Sequence, residues 1–163
     1  MDAKRESKPA KHPVERKSDR ELVIRRTFDA PARLVYQAWT RPELFMKWWV
    51  PKSLGMTMRA CEMDVRVGGK YRVNFGEGMD FYGQYVEVKP NMRLAWTNDE
   101  GGEPGPVTTV TFEEKDGKTL LVVSELYPSK EALDKAGTGA WDAVGETFAQ
   151  LDEVLLTQGV AAR

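Results

Sequence analysis

The chain has 163 residues, 41% of them hydrophobic, which suits one domain with a real core and leaves too little for two compact domains. Its formal net charge is −1 with both signs interspersed, so no global field attracts nucleic acid, and nucleic-acid binding is not expected. The single cysteine, Cys61, excludes an internal disulfide, and the absence of a signal-like or long apolar run predicts a cytoplasmic protein without integral membrane association.

Residues 1–20 are predicted to form a disordered polar arm. This segment is rich in charged residues and proline, and after Met1 its one sizeable aliphatic residue is Val14. Such a composition buries too little apolar surface to offset the entropy of ordering the chain. We therefore expect a single domain over residues 21–158 and a short tail over 159–163.

The first predicted elements are a strand and two short helices. Alternating apolar and polar residues predict a strand over 22–28. Pro31 then opens a helix, since proline is tolerated in the first helical turn. Thr40 and Glu43 have the spacing of a capping box, which predicts a second helix that carries Trp48 and Trp49. Adjacent residues on a helix face different ways, so one tryptophan is expected inside and the other near a cavity mouth.

Six further strands follow. Turn formers separate them, and the strongest hairpin signal is the pair Asp116 and Gly117. Connections this short make consecutive strands antiparallel. The predicted strands cover residues 56–67, 70–75, 79–88, 93–98, 107–114 and 119–126.

A long amphipathic helix is predicted over about residues 140–158. Ser129 is a candidate N-cap of the segment before it, which Gly137 and Gly139 interrupt. One face of the long helix is apolar, and the opposite face, which carries Gln150, is predicted to lie in solvent. The apolar face consists of Trp141, Val144, Phe148, Leu151 and Leu155. An antiparallel sheet covered by one helix leaves room between the two.

Short motifs with a family likeness run through the chain in a fixed order. They are FDAP at 28–31, VYQAWT at 35–40, PEL at 42–44, WW at 48–49, GGKYR at 68–72, GQYVEV at 83–88, residues 90–97, TVTF at 109–112, and Trp141. Together they resemble the heat-shock protein 90 ATPase activator-like family of the START-related SRPBCC superfamily. The resemblance covers roughly residues 22–156. It implies an α+β helix-grip fold, in which a curved antiparallel sheet wraps around a long C-terminal helix and two short helices close one end of an apolar cavity.

The resemblance also implies a function. Other members of the superfamily bind lipids, hormones, flavonoids or polyketides, which indicates non-catalytic binding of a small hydrophobic or aromatic molecule. Chaperone ATPase activation is not expected, because no second domain is present for the main chaperone contact. A co-chaperone-like protein-binding module, with a protein partner or a homodimer, stays as one alternative. A cyclase or dehydratase that uses a cavity carboxylate or phenol is the other.

Histidine and cysteine, which often serve as catalytic residues, are nearly absent. The one histidine, His12, lies in the predicted arm, so a serine or cysteine nucleophile has no histidine base in the folded part. Cys61 has no CxxC partner and is predicted to be a packed or surface thiol. Neither a metal site nor a phosphate loop is indicated, and no cofactor is predicted.

Two registers compete on the last predicted strand. Either Leu120, Val122 and Ser124 point inward, or the alternate residues that include Glu125 do, and the family likeness favours the second register. A buried Glu125 is a candidate acid or polar anchor, although near the strand end it could instead reach solvent. Tyr85 is the other weak catalytic candidate, but the two faces of strand 79–88 are ambiguous. The predicted ligand-binding residues are Trp48, Trp49, Tyr71, Phe75, Tyr85, Trp96, Trp141 and Phe148.

Overall fold

The computed structural model describes residues 14–99, 105–137 and 142–161, with side chains described as far as residue 158. The strands of this part are β1 (Val14–Arg16), β2 (Glu21–Phe28), β3 (Ala60–Met63), β4 (Lys70–Asn74), β5 (Asp80–Lys89), β6 (Arg93–Thr97), β7 (Val107–Lys115) and β8 (Lys118–Leu126). The helices are α1 (Ala32–Thr40), α2 (Pro42–Trp48), a 3-10 turn at Lys52–Leu54, α3 (Lys130–Ala136) and α4 (Val144–Ala161).

The eight strands form one curved antiparallel sheet in the order β1-β2-β8-β7-β6-β5-β4-β3. The predicted α+β helix-grip class is confirmed, with two short helices after β2 and a long helix at the end. Asp116 and Gly117 adopt φ angles of 57° and 78°, the left-handed pair that a tight hairpin between β7 and β8 requires. The long helix begins at Val144, and residues 138–141 lie outside the described part.

The predicted capping box at Thr40 is wrong. Thr40 is the last residue of α1, and its hydroxyl donates to the Tyr36 carbonyl oxygen at 2.9 Å. Arg41 takes the N-cap position of α2 without a side-chain cap, and Pro42 opens the helix. Proline suits this position because it lacks the N–H that a cap would have to satisfy.

The predicted polar arm needs a correction at its C-terminal end. Residues 14–16 form β1, which pairs with β2 in the register Val14 with Ile24, and Val14 packs against the core. Arg16 also forms an ion pair with Asp134 of α3 at 2.6 Å. Composition does not reveal this strand, because an edge strand is ordered by backbone pairing with its neighbour as much as by its own apolar content. Residues 1–13 lie outside the described part of the chain.

Helix α4 is tied to the sheet and to α2 by polar contacts. The Arg26 guanidinium of β2 donates to both carboxylate oxygens of Asp152, at 3.1 and 2.6 Å, and lies 4.6 Å from the centre of the Phe28 ring. Gln150, predicted to face solvent, is instead buried: its Nε2 donates to the carbonyl oxygens of Trp48 and Val50 at 3.0 and 2.9 Å. The end of α2 supplies backbone groups that have no helical partner, and Gln150 satisfies them.

Candidate functional site

Four inward-facing side chains lie side by side across the middle of the sheet. Strand register places Tyr85 opposite Trp96, Trp96 opposite Thr108, and Thr108 opposite Glu125. Directly paired residues of antiparallel strands project from the same face. Tyr85, Trp96, Thr108 and Glu125 therefore form one transverse row, with a carboxylate at one end and a phenol at the other. Strands lie about 4.8 Å apart, so three spacings separate its ends by about 14 Å of backbone.

The register of β8 that points Glu125 inward is the one the structure adopts. Leu121 and Val123 are buried at 0% and 1% exposure, and Glu125 follows on the same face at 8%. Alternation along a strand forces this grouping, because residues two apart share a face. Glu125 thus lies on the inner surface near the end of β8, and its side chain does not reach out into solvent.

Hydroxyl groups hold the Glu125 carboxylate. The Thr108 hydroxyl donates to Oε2 at 2.9 Å, and the Tyr127 hydroxyl donates to Oε1 at 3.0 Å. Burial, followed by the charge of Glu125 and this hydrogen bond, raises the pKa of Tyr127, so the phenol stays protonated and keeps donating. No ion pair within the described ranges involves Glu125. Two of its roughly four lone-pair positions are occupied, and a ligand donor can use the others.

The network continues from Thr108 toward β4. Asn98 Nδ2 donates to Thr108 Oγ1 at 3.0 Å and to the Pro106 carbonyl oxygen at 2.8 Å. The Tyr71 hydroxyl lies 3.1 Å from Asn98 Oδ1 and 2.8 Å from the Thr97 carbonyl oxygen. A polar chain thus links β4, the end of β6, β7 and β8, and it ends on the Glu125 carboxylate.

Aromatic rings from α1, α2, α4 and three strands lie against the rest of the row. Neighbouring ring centroids are 4.7 to 6.4 Å apart, within the range of favourable edge-to-face and stacked contacts. We call this set the aromatic cluster. Its members are Trp39, Phe45, Trp48, Trp49, Tyr71, Tyr85, Trp96 and Phe148.

The inner face of the sheet is less buried at β3 and β4 than at β7 and β8. Inner-face residues of β7 and β8 such as Val110 and Leu121 are fully buried, whereas Cys61 and Met63 of β3 and Phe75 just after β4 are half-buried. Phe81 projects from the same face, opposite Val73, and is 42% exposed. Access to the row from outside is thus most open along β3 and β4.

The comparison with known proteins identifies the family. The family described as "Activator of Hsp90 ATPase homolog 1-like protein" matches residues 29–155, most of the chain. This chain belongs to that family. The family resemblance expected from the short motifs is thereby confirmed. No curated protein matches the sequence significantly.

Solved structures share the fold of this chain. A Nitrosomonas europaea protein has a TM-score of 0.74 at 24% identity, over 89% of this chain and 99% of that chain. A Rhodobacter sphaeroides protein has a TM-score of 0.76 at 25% identity, over 88% and 97% respectively. A Mycobacterium smegmatis protein has a TM-score of 0.71 at 25% identity, over 89% and 97%. The match over nearly the full length of each indicates the same fold.

In this family member the two predicted tryptophans differ in burial. Trp48 is fully buried, and its Nε1 donates to the Ala38 carbonyl oxygen at 2.9 Å, which makes it part of the α1–α2 core. Trp49 is half-buried and stacks on Phe45 with centroids 4.7 Å apart. Phe148 is buried at 1% exposure against Phe28, with centroids 5.3 Å apart. Trp141, also predicted to bind ligand, lies outside the described residues.

The remaining predicted residues lie on or beside the row. Tyr85 is 3% exposed and Trp96 is 9% exposed, while Tyr71 and Phe75 are half-buried. The inward face of β5, which the sequence leaves open, carries Gly83 and Tyr85. A Cβ on Gly83 would lie 1.9 Å from the Thr97 carbonyl oxygen and 2.8 Å from the Tyr71 ring, so glycine allows this close approach.

Sequence reasoning missed several site residues. Tyr127 lies two positions after Glu125, and residues two apart along a strand point to the same face, so the sequence pattern could have placed Tyr127 beside Glu125. Asn98 and Thr108 come together through strand register and carry no such signal. Trp39 lies in the last turn of α1, and its position at the centre of the aromatic cluster depends on how α1 packs against the sheet.

Other features of the described ranges lie away from the row. Two surface clefts of about 600 and 590 Å³ are located at the β7–β8 hairpin and beside the start of α1, and neither includes a side chain of the row. The described residues contain no group of three or more histidine, cysteine, aspartate or glutamate side chains placed to hold a metal ion. In the same ranges, every helix is too short or too polar to cross a bilayer.

Proposed function

We propose that this protein binds a small hydrophobic or aromatic molecule between the inner face of its sheet and α4, without catalysing a reaction on it. The observation that carries the proposal is the transverse row. A carboxylate without a cationic partner in the described part of the chain shares one inner face with a cluster of aromatic rings. Small-molecule sites combine apolar and aromatic walls with a few placed polar groups in this way.

The energetics of Glu125 support a role in recognition. Burial of a carboxylate is unfavourable unless charge or hydrogen bonds compensate it. Hydrogen bonds from Thr108 and Tyr127 compensate it in part and hold it at a set position. A ligand hydroxyl would add a third donor, and hydrogen bonds to charged groups are stronger than neutral ones.

This chemistry selects among ligand classes. The Glu125 carboxylate on the inner surface disfavours fatty acids, whose own carboxylate would meet it in a poorly solvated space. It favours neutral ring systems that carry a hydroxyl, because their faces pack on the aromatic cluster while the hydroxyl donates to the carboxylate. We therefore propose a hydroxylated aromatic or polyketide-like molecule as the ligand class.

Fluorescence titration tests the proposal. Trp96 lies in the row, so 2-naphthol is expected to change tryptophan emission saturably, and decanoate is expected to have no effect. Replacement of the anchor, Glu125→Gln, should weaken 2-naphthol binding about tenfold, because a hydrogen bond to a charged acceptor becomes a neutral one. Glu113→Gln is the matched control, since Glu113 is exposed on the opposite face of the sheet. Absence of saturable binding by any neutral aromatic compound tested would overturn the proposal.

A dehydratase-type or cyclase-type enzyme is the second candidate, and the pairing of Glu125 with Tyr127 favours it. Glu125 is placed to take a proton from a carbon atom of the ligand and to return it to the leaving hydroxyl, which departs as water, and the Tyr127 hydroxyl 3.0 Å from Oε1 holds the carboxylate in position for both steps. Enzymatic action would show as loss of water from a bound hydroxylated ligand in mass spectra. That loss would disappear in both Glu125→Gln and Tyr127→Phe. Unchanged ligand after prolonged incubation would leave binding as the function.

A further inference from the structure

A buried donor in the aromatic cluster has no acceptor. Trp39 is 1% exposed, and its Nε1 makes no hydrogen bond to an acceptor among the described residues. The neighbouring Trp48, whose ring centroid is 4.8 Å away, satisfies its own Nε1 with the Ala38 carbonyl oxygen. Buried side-chain donors normally find a partner, so the contrast between the two indoles requires an explanation.

Two phenols of the same interior can also donate a hydrogen bond. Tyr85 is 3% exposed and Tyr36 is 8% exposed, and neither hydroxyl takes part in a hydrogen bond within the described ranges. Burial raises the pKa of both groups, which keeps them protonated and able to donate. Of these three donors, Trp39 Nε1 is the one that is fully buried without an acceptor among the described residues, and the two phenol hydroxyls add protonated groups able to donate.

Trp39 and Tyr85 lie toward the end of the row that is opposite to Glu125. Trp39 contacts Trp96 with ring centroids 5.9 Å apart, and Tyr85 is the cross-strand neighbour of Trp96. The titratable groups that influence Tyr85 electrostatically are Cys61, Tyr36 and Asp64, none of which is cationic. A ligand anion would gain no compensating charge there, whereas a neutral oxygen acceptor suits a set of neutral donors.

We infer that this end of the row is an acceptor subsite, where the Trp39 indole N–H and the Tyr85 hydroxyl bind a neutral oxygen of the ligand such as a ketone carbonyl. The inference rests on the proposed function and narrows its ligand class. With Glu125 about 14 Å of backbone away across three strand spacings, the fitting ligand is a hydroxylated aromatic ketone. Its carbonyl and hydroxyl lie at opposite ends of a system of two or three rings.

Two probes that differ in the carbonyl alone test the subsite. They are 1-tetralone and tetralin, which have the same ring system with C=O in one and CH₂ in the other. Indole ¹H–¹⁵N spectra resolve the five tryptophans, and a Trp39→Phe spectrum assigns the Trp39 signal. We expect 1-tetralone to shift the Trp39 indole proton downfield and tetralin not to do so. The Trp48 signal is the internal control, because its hydrogen bond to Ala38 is already made.

A matched pair of variants completes the test. Tyr85→Phe should weaken 1-tetralone binding about fivefold and leave tetralin binding unchanged, because one neutral hydrogen bond is lost. Tyr82→Phe is the control, since Tyr82 lies on the outer face and is 41% exposed. An unchanged Trp48 signal in Tyr85→Phe verifies that the interior stays folded.

The outcomes separate the two proposals. If both probes bind with similar affinity and the Trp39 signal does not move, the acceptor subsite is wrong and ligand binding stands. If neither probe, nor 2-naphthol, perturbs any indole signal, the proposed function fails and the subsite fails with it. A Trp39 shift with 1-tetralone together with the Tyr85→Phe effect supports the subsite.

Discussion

Gln150→Leu is expected to destabilise the fold by detaching α2 from α4. Gln150 makes three hydrogen bonds: Nε2 donates to the carbonyl oxygens of Trp48 and Val50, and Oε1 accepts from the Lys52 backbone N–H at 2.9 Å. At about 1 kcal/mol each, their loss amounts to about 3 kcal/mol. Leucine has a similar volume and is more apolar, which recovers about 1 kcal/mol. The expected net loss of unfolding free energy is about 2 kcal/mol.

Urea unfolding followed by circular dichroism measures this change. The midpoint should fall without a change in the slope of free energy against urea, because the surface exposed on unfolding stays the same. In a thermal scan the same loss corresponds to a melting temperature lower by about 4–8 °C for a domain of this size. Gln84→Leu is the matched control, since Gln84 is exposed on the outer face. A loss below about 0.5 kcal/mol would refute the reasoning that Gln150 supports the end of α2.

Three further predictions concern single groups. Gly83→Ala should lower the unfolding free energy by about 3 kcal/mol, because the added Cβ would lie 1.9 Å from the Thr97 carbonyl oxygen. The control Gly145→Ala has open space around its Cβ and should change stability by less than about 1 kcal/mol. Equal urea midpoints for the two variants would contradict the prediction. Burial raises the folded-state pKa of Tyr85 above its ordinary 10.0, so the contribution of Tyr85 to stability is constant well below pH 10.0 and falls above it as the unfolded state ionises. Tyr85→Phe should reduce the fall in stability above pH 10.0 in pH-dependent urea titrations. Burial, followed by the charges of nearby carboxylates, raises the pKa of the Cys61 thiol from 9.0 to about 11. Less of the thiol is then ionised at pH 8, so Cys61 should react with iodoacetamide about 100-fold more slowly in the folded than in the unfolded protein. Equal rates in the two states would refute this prediction.

The element order could be predicted because it depends on local patterns. The Asp116–Gly117 hairpin forms from residues that tolerate positive φ, and the Ser129 side chain accepts from the Ala132 backbone N–H as an N-cap does. The errors arose where a local signal competes with a tertiary one. Thr40 has the spacing of a capping box, but Pro42 opens the next helix and the threonine hydroxyl bonds back to Tyr36.

The site was partly predictable for the same reason. Alternation along β8 places Glu125 on the same face as Leu121 and Val123. Only the family likeness indicated which of the two faces of β8 points inward. Gln150 shows the limit of helical periodicity, since a polar residue on the presumed wet face became buried once the end of α2 packed against it.

By itself the sequence determined which residues share a face of each strand or helix, because backbone geometry repeats every two or 3.6 residues whatever surrounds it. Tertiary structure alone decided which faces meet across strands. The alignment of Tyr85, Trp96, Thr108 and Glu125 in one row depends on the registers of three strand pairs, and those follow from turns, a bulge next to Tyr85 and the packing of the whole core. The unpartnered Trp39 N–H is likewise a property of assembly, because an indole lacks an acceptor only when everything packed around it is apolar or already paired.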